Sequence, residues 1–360
     1  MRIAVVIPEM GTGGAEAIVA ALGRHHVAEG HDVTVFTSGG WRVPGLEADG
    51  VEVVHLPLRG RNPVMLLSAV RALRRARLSS YDLVHVHNAK AAVAVRAAVG
   101  RRPAAPPVLV TAHGFLAPDR DRAARLLARV ADHVVAVSDE TADRLRDGGF
   151  PGERLSVVEN GIEAPPRRDR AEARARLGLP EGEQMVLCLA RMTVQKRQDL
   201  LLPVWAGWPD APLLLLAGDG PTRPRLEDLV RRHGLEDRVR FLGDRRDADW
   251  LLAAADALVL PSDMEGLPVS VLEAMLLGVP VVASAVGGVA TLGGALELAP
   301  PGAGEGLRAG LARVLDDPGH RDRLVVAAQA LVDRRFHPAR MVASYDVVIS
   351  TTSGQGVVEM

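Results

Sequence analysis

From residue 2 onward the chain alternates short, continuously apolar runs with longer stretches whose apolar positions recur every three or four residues. The first kind reads as buried strand and the second as amphipathic helix. Strands are expected over 2–7, 33–37, 52–56, 83–87, 108–111 and 133–137, with helices over 14–29, 63–78, 89–99, 119–130 and 139–147. A polar, Pro-containing stretch, Asn160-Gly-Ile-Glu-Ala-Pro-Pro-Arg-Arg168, then interrupts the pattern. It restarts with strands over 185–190, 213–217, 239–242, 257–260, 280–284 and near 296–299. Helices are expected over 171–177, 198–206, 222–233, 247–254, 268–277, 304–315 and 319–332. Such alternation implies parallel strands joined by crossover helices, so two runs of it imply two doubly wound α/β domains. The expected boundaries are 1–163 and 164–337, followed by a helix over 338–350 with no strand after it and a frayed tail over 351–360.

Composition narrows the class. A chain of 360 residues has room for two cores, and 48% apolar with 24% charged residues is ordinary for a globular protein. A net charge of −1 argues against a dedicated nucleic-acid binder, which carries a marked basic excess. The lone Cys188 excludes a disulfide framework or a thiolate metal cluster and fits a reducing compartment. Residues Met1 to Ile7 form a strand closely followed by Glu9, too short for a signal peptide, and no apolar run approaches the roughly 20 residues that span a bilayer. A soluble cytoplasmic protein is expected. Of the 43 basic residues only Lys90 and Lys196 are lysines. A lysine kept against that bias stands out, because Arg and Lys differ as phosphate ligands.

In an open parallel sheet, ligands bind beyond the carboxyl ends of the strands, so motifs placed there carry weight. Glu265-Gly-Leu-Pro-Val-Ser-Val-Leu-Glu273 brackets a Gly-x-Pro turn with two carboxylates. Pro268 suits the first position of a helix that Gly278 ends and Pro280 cannot extend. Free amides at the helix start attract anions, and the carboxylates accept hydrogen bonds from hydroxyls. Phosphate plus polyol is the chemistry of a nucleotide-sugar. Arg191-Met-Thr-Val-Gln-Lys196 follows another strand, and its two cations can neutralise a diphosphate leaving group. Gly11-Thr-Gly-Gly-Ala-Glu16 lets backbone amides approach a phosphate or a sugar ring, or forms a plain tight turn into a helix. It is not a dinucleotide fingerprint: Glu16 occupies the place of the third glycine, and Val35-Phe-Thr-Ser38 brings no acidic ribose ligand. Gly218-Asp-Gly-Pro221 is either a turn or a ligand contact. His113, in Thr111-Ala-His113-Gly114, closes a strand of the first domain; His85 and His87 have the weaker claim.

Taken in order, these marks resemble the family-4-type retaining glycosyltransferases of the GT-B fold. The resemblance is carried by Arg191 with Lys196, Gly218-Asp-Gly-Pro221, Phe241-Leu-Gly243, Pro261-Ser262, the E-x7-E pair and Pro280-Val-Val-Ala-Ser-Ala-Val-Gly-Gly288. More loosely, the first half adds Gly13-Gly14, His113, Val137-Ser138 and Asn160-Gly-Ile162. The resemblance implies two Rossmann-like domains facing each other across a cleft, the first for the acceptor and the second for the donor, with the last helix crossing back onto the first. It implies that Arg191 and Lys196 hold the nucleoside diphosphate and Glu273 the ribose. Glu265 would meet the sugar's 3- and 4-hydroxyls beside the backbone of Gly266, Leu267, Pro268 and Val269. Gly13 and Gly14 would approach the β-phosphate, His113 would sit near the sugar's C6 edge and the reacting centre, and Asp244 and Arg245 would meet the base. Many relatives place Asp after that His, where this chain has Gly114.

The expected reaction moves a hexose or N-acetylhexosamine, most readily from a UDP-sugar, to an acceptor hydroxyl with retention of configuration. No metal or cofactor is expected, since basic residues and amide dipoles take the cation's place in this fold. The acceptor is either a small natural-product or aminocyclitol core or a cell-envelope glycan or lipid. Between residues 53 and 81 lie Arg59, Arg61, Arg71, Arg74, Arg75 and Arg77 and no acid. This segment is a solvated face or a peripheral contact with an anionic membrane or acidic acceptor. A nucleotide-sugar epimerase of the same fold and a non-enzymatic two-domain sugar-binding protein are the competing readings.

Overall fold

The computed structural model describes residues 1–58, 63–113, 120–179 and 182–354. The chain divides into two units, Met1–Gly161 with Pro338–Met360, and Ile162–His337. The first change of unit thus falls two residues before the expected 163. In unit 1 the described elements run β1 (Arg2–Val6), α1 (Gly14–Ala28), β2 (Asp32–Thr37), α2 (Val43–Ala48), β3 (Glu52–His55), α3 (Pro63–Arg75), β4 (Leu83–Val86), α4 (Ala89–Val99), β5 (Val108–Ala112), α5 (Arg120–Val130), β6 (His133–Ala136), α6 (Asp139–Asp147) and β7 (Leu155–Val157). Its parallel sheet has the order β3-β2-β1-β4-β5-β6-β7. The order reverses between β1 and β4, the switch point where such sheets take ligands.

Unit 2 repeats the plan with α7 (Arg170–Arg176), β8 (Met185–Leu189), α8 (Leu201–Ala206), β9 (Leu213–Ala217), α9 (Arg223–His233), β10 (Val239–Gly243), α10 (Ala248–Ala254) and β11 (Ala257–Leu260). It continues with α11 (Val269–Leu277), β12 (Val281–Ser284), α12 (Gly287–Ala290), β13 (Glu297–Ala299), α13 (Gly304–Asp316) and α14 (Pro318–Arg335). The sheet order is β10-β9-β8-β11-β12-β13, again all parallel, with the switch point between β8 and β11. Alternate strand residues face opposite layers. Leu187, Leu215 and Leu258 pack with α10, α11 and α14, whereas Val186, Leu214 and Val259 pack with α8, α9 and α13.

The last helix, α15 (Pro338–Ser353), belongs to unit 1. Met341, Tyr345, Val348 and Ile349 form its apolar stripe, and with Ile18 and Leu22 of α1 they cover the sheet face carrying Ile3, Val5 and Leu109. It runs three residues past the expected end at 350. Three short elements were absent from the sequence expectations: α2, which contains Pro44 and Gly45, the three-residue β7, and α12. The helix expected over 198–206 is also broken. Arg197 takes a left-handed conformation (φ 49), a 3₁₀ turn covers Gln198–Leu200, and α8 starts only at Leu201. No described helix is long and apolar enough to cross a membrane.

Candidate active site

In unit 2 the loops after β8 and β11 lie side by side because those strands pair, Ala257 with Val186 and Leu258 with Leu187. The first loop carries Arg191 and Lys196, the second Ser262 and Glu265. Lys196 Nζ donates to Glu265 Oε1 at 2.5 Å, and Ser262 Oγ donates to the same oxygen at 2.5 Å. The two charged side chains are 17% and 7% exposed, so each depends on the other for compensation. Asp263 N donates to Gln195 O at 2.9 Å, and Arg197 Nη1 reaches both Asp263 oxygens, at 3.0 and 2.8 Å. Beneath the pair lies buried Cys188; burial pushes its thiol up to about 12, with Lys196 opposing and Glu265 reinforcing the rise. A thiol so placed is no nucleophile.

Arg191 has an exposed side chain, and its carbonyl is fixed by Thr193 N (3.0 Å) and by Nε2 of buried Gln198 (3.1 Å). The loop rests on the turn after β9: Met192 N donates to Asp219 O, and Thr222 N donates to Met192 O. A Cβ on Gly218 would lie 2.2 Å from Ala190 O, and one on Gly220 would lie 2.1 Å from Met192 O. Close backbone contact with the Arg191 loop therefore accounts for both glycines of Gly218-Asp-Gly-Pro221. Gly288 acts alike, donating from N to Gly266 O at 2.8 Å where a Cβ would lie 2.2 Å from that oxygen. It holds the backbone between Glu265 and α11. Pro268 is the residue before α11 (φ −71, ψ 123) rather than its first helical residue, and no side chain caps the helix start. Gly266 and Leu267 are buried, Pro268 and Val269 half-buried. Gly278, at φ 78, ends the helix as the sequence suggests. Glu273 lies half-buried on the second turn of α11. Direct contact thus joins Lys196 to Glu265, while Arg191 and Glu273 sit on the same two segments beside them.

Unit 1 builds its first loop in the same way. Met10 N donates to Gly39 O at 2.9 Å, Arg42 Nε donates to Gly11 O at 3.0 Å, and a Cβ on Gly40 (φ 144) would lie 2.2 Å from Met10 O. Gly13 precedes α1 in extended conformation, and Gly14 opens the helix. A Cβ on Gly13 would lie 2.2 Å from Glu16 Oε2, so the Glu16 carboxylate folds over the helix start, where the helix dipole favours it. An arriving phosphate would compete with that carboxylate.

At the ends of β4 and β5 stands a group of histidines. His87 Nδ1 and His113 Nε2 share a hydrogen bond of 3.1 Å, their rings stacked at 26°. Behind them His85 Nε2 bonds Thr111 Oγ1 (2.8 Å), which bonds the Tyr345 hydroxyl of α15 (3.0 Å). The His85 ring packs 4.2 Å from that of His87. Burial pushes His113 down to about 4, His85 to about 3 and His87 well below its ordinary value. All three are neutral imidazoles near pH 7. From sequence His85 and His87 had the weaker claim, yet His-x-His running off the end of β4 and Thr-x-His running off the end of β5 each place two residues on one face, which could have grouped them. Gly114 lies outside the described residues. Among the described residues, a set able to share an ion is His25, His26 and Asp346, on α1 and α15 and apart from the loops above.

Residues 169–331 match the model described as Glycosyl transferases group 1, and residues 12–164 match Glycosyltransferase Family 4. The D-inositol 3-phosphate glycosyltransferase of Xylanimonas cellulosilytica is 30% identical, over 90% of this chain and 88% of its own. The chain belongs to the family-4 glycosyltransferases. The N-acetyl-alpha-D-glucosaminyl L-malate synthase of Bacillus anthracis is 26% identical over 93% of each chain. Among solved structures, Anabaena Alr3699/HepE in complex with UDP and glucose is similar with a TM-score of 0.85 at 25% identity, covering 98% of this chain and 100% of that one. The fold is GT-B, and the protein is a glycosyltransferase.

Proposed function

We propose that the protein transfers a hexosyl or N-acetylhexosaminyl group from a UDP-sugar to an acceptor hydroxyl, with retention and without a divalent metal. The observation that carries this reading is the Lys196–Glu265 pair at the unit 2 switch point, with Arg191 on the same loop. Lys196 and Arg191 would stabilise charge developing on the leaving diphosphate, the task a metal ion performs elsewhere. Glu265 would hold the sugar hydroxyls beside the α11 amides, Glu273 the ribose, and His113 the sugar's C6 edge. Lys196 would then share its three protons between Glu265 and phosphate. A UDP complex of a relative supports the donor class, and relatives named for malate and inositol phosphate support a small, anionic, hydroxylated acceptor. A cytoplasmic setting fits the buried free thiol of Cys188.

The test supplies UDP-glucose, UDP-N-acetylglucosamine and GDP-mannose in EDTA, with L-malate or inositol phosphate as acceptor, and follows the anomeric coupling of the product by NMR. An α-linked product formed despite EDTA is expected from an α-linked donor. A β-linked product, or turnover only with added metal, contradicts the proposal. Conversion of the donor with no acceptor present favours the epimerase.

Peripheral membrane contact through residues 59–77 is also proposed, and α3 supports it. Val64, Met65, Leu66 and Leu67 are 75%, 46%, 41% and 50% exposed, and Arg71, Arg74 and Arg75 are exposed on the turns that follow. Arg59 and Arg61 lie outside the described residues. Apolar side chains beside a run of arginines suit an anionic lipid surface. The protein should co-sediment with phosphatidylglycerol vesicles at low salt and be released as salt is raised. Failure to bind them at low salt removes the membrane reading.

A further inference from the structure

We infer that His87 is a positioning residue that holds His113 in its Nδ1–H form, so that His113 presents a hydrogen-bond donor to a substrate oxygen. The inference rests on the proposed place of His113 at the sugar and deepens it by assigning the direction of the bond. His87 is 5% exposed, and its Nε2 has no hydrogen-bond partner among the described residues, whereas its Nδ1 meets His113 Nε2.

Two arrangements of protons satisfy that contact. If His113 Nε2–H donated, the neutral His87 ring would carry its own proton on Nε2, leaving a buried N–H with no acceptor. If His87 Nδ1–H donates, the orphan is only a lone pair. Orphaned buried donors are rarer than under-used acceptors, so the second arrangement is selected. His113 Nε2 is then the acceptor and its proton sits on Nδ1. That nitrogen can donate to a sugar hydroxyl or phosphate oxygen, and it cannot serve as the base that deprotonates the acceptor. The His87 ring is fixed by what lies behind it: the His85 ring, held through Thr111 Oγ1 to the Tyr345 hydroxyl. These contacts keep the paired rings from turning.

Imidazole ¹⁵N spectra of the ligand-free protein test this without any turnover. Near pH 7, His113 should show a protonated Nδ1 and a bare Nε2; the reverse tautomer overturns the inference. His87→Asn, whose amide N–H can stand where Nδ1–H stood, should keep that tautomer and a kcat within a few-fold of wild type. His87→Leu should mix the tautomers and lower kcat on the order of 10- to 100-fold, with donor KM little changed. Equal kcat and unchanged ¹⁵N spectra in all three proteins would overturn the inference as well. A wild type with the expected tautomer that transfers no sugar would instead count against the proposed reaction alone.

Discussion

Lys196→Ala should lower the unfolding free energy of unit 2 by about 3–5 kcal/mol, because it leaves the Glu265 carboxylate buried with Ser262 as its remaining partner in that contact. Glu265→Ala should cost a similar amount by stranding the ammonium. The double variant should be much less destabilised than the sum of the two, since removing both charges removes the uncompensated one. Turnover should fall by roughly two to three orders of magnitude in Lys196→Ala, as when one donor to developing charge is lost. Denaturant unfolding and steady-state rates of the three variants check this. Costs below about 1 kcal/mol, the scale of a solvent-exposed pair, would show that the contact is not the desolvated one described.

Acid should unfold unit 1 before unit 2. His26 and His113 are held down to about 4 and His85 to about 3, with His87 well below its ordinary value, in every case chiefly by burial. Asp346 opposes the shift of His26. The sign follows from proton uptake. Below pH 6.5 the unfolded histidines bind protons that the folded ones refuse, so their contribution to stability is complete above that pH. It is lost as pH falls toward about 4. Each group well inside that window contributes a slope of roughly 1.4 kcal/mol per pH unit. Half of the combined slope, a discount for the half-buried His113 and for relaxation, still rivals the stability of a typical domain over two pH units. In unit 2, His233 and His337 are exposed and His320 is half-buried. Hydrogen exchange resolved by segment, at pH values between about 7 and 5, should show β4, β5 and α15 losing protection first. Parallel loss in both units would contradict the assignment.

Much of the fold was legible because strands buried on both faces read as continuous apolar runs, as in Met185–Leu189 or Leu213–Ala217. The elements that escaped are short and weakly patterned: β7 has three residues, and α2 carries Pro44 and Gly45 in six. Of the site, the strand-end positions of Arg191, Lys196 and Glu265 were readable. The contact between the last two was not, because it depends on β8 and β11 becoming neighbours across the switch point. Gly218 and Gly220 looked like turn residues or ligand contacts, and Gly288 was only part of a family-like stretch. Their close backbone approaches appear only once the strands are paired. His25 and Asp346 meet at 2.8 Å across 321 positions, a pairing that no local pattern announces.

On the proposed reading, the unit 2 switch point holds a nucleoside diphosphate through side chains and amides alone. Calorimetric titration of UDP in EDTA, into wild type and Glu273→Ala, decides this. Wild type should bind, and the variant should bind more weakly by roughly 1.5–3 kcal/mol, the value of a charge-assisted hydrogen bond to the ribose. No binding by wild type in EDTA would rule out a metal-free diphosphate site, and equal affinity in the two proteins would rule out Glu273 as the ribose ligand.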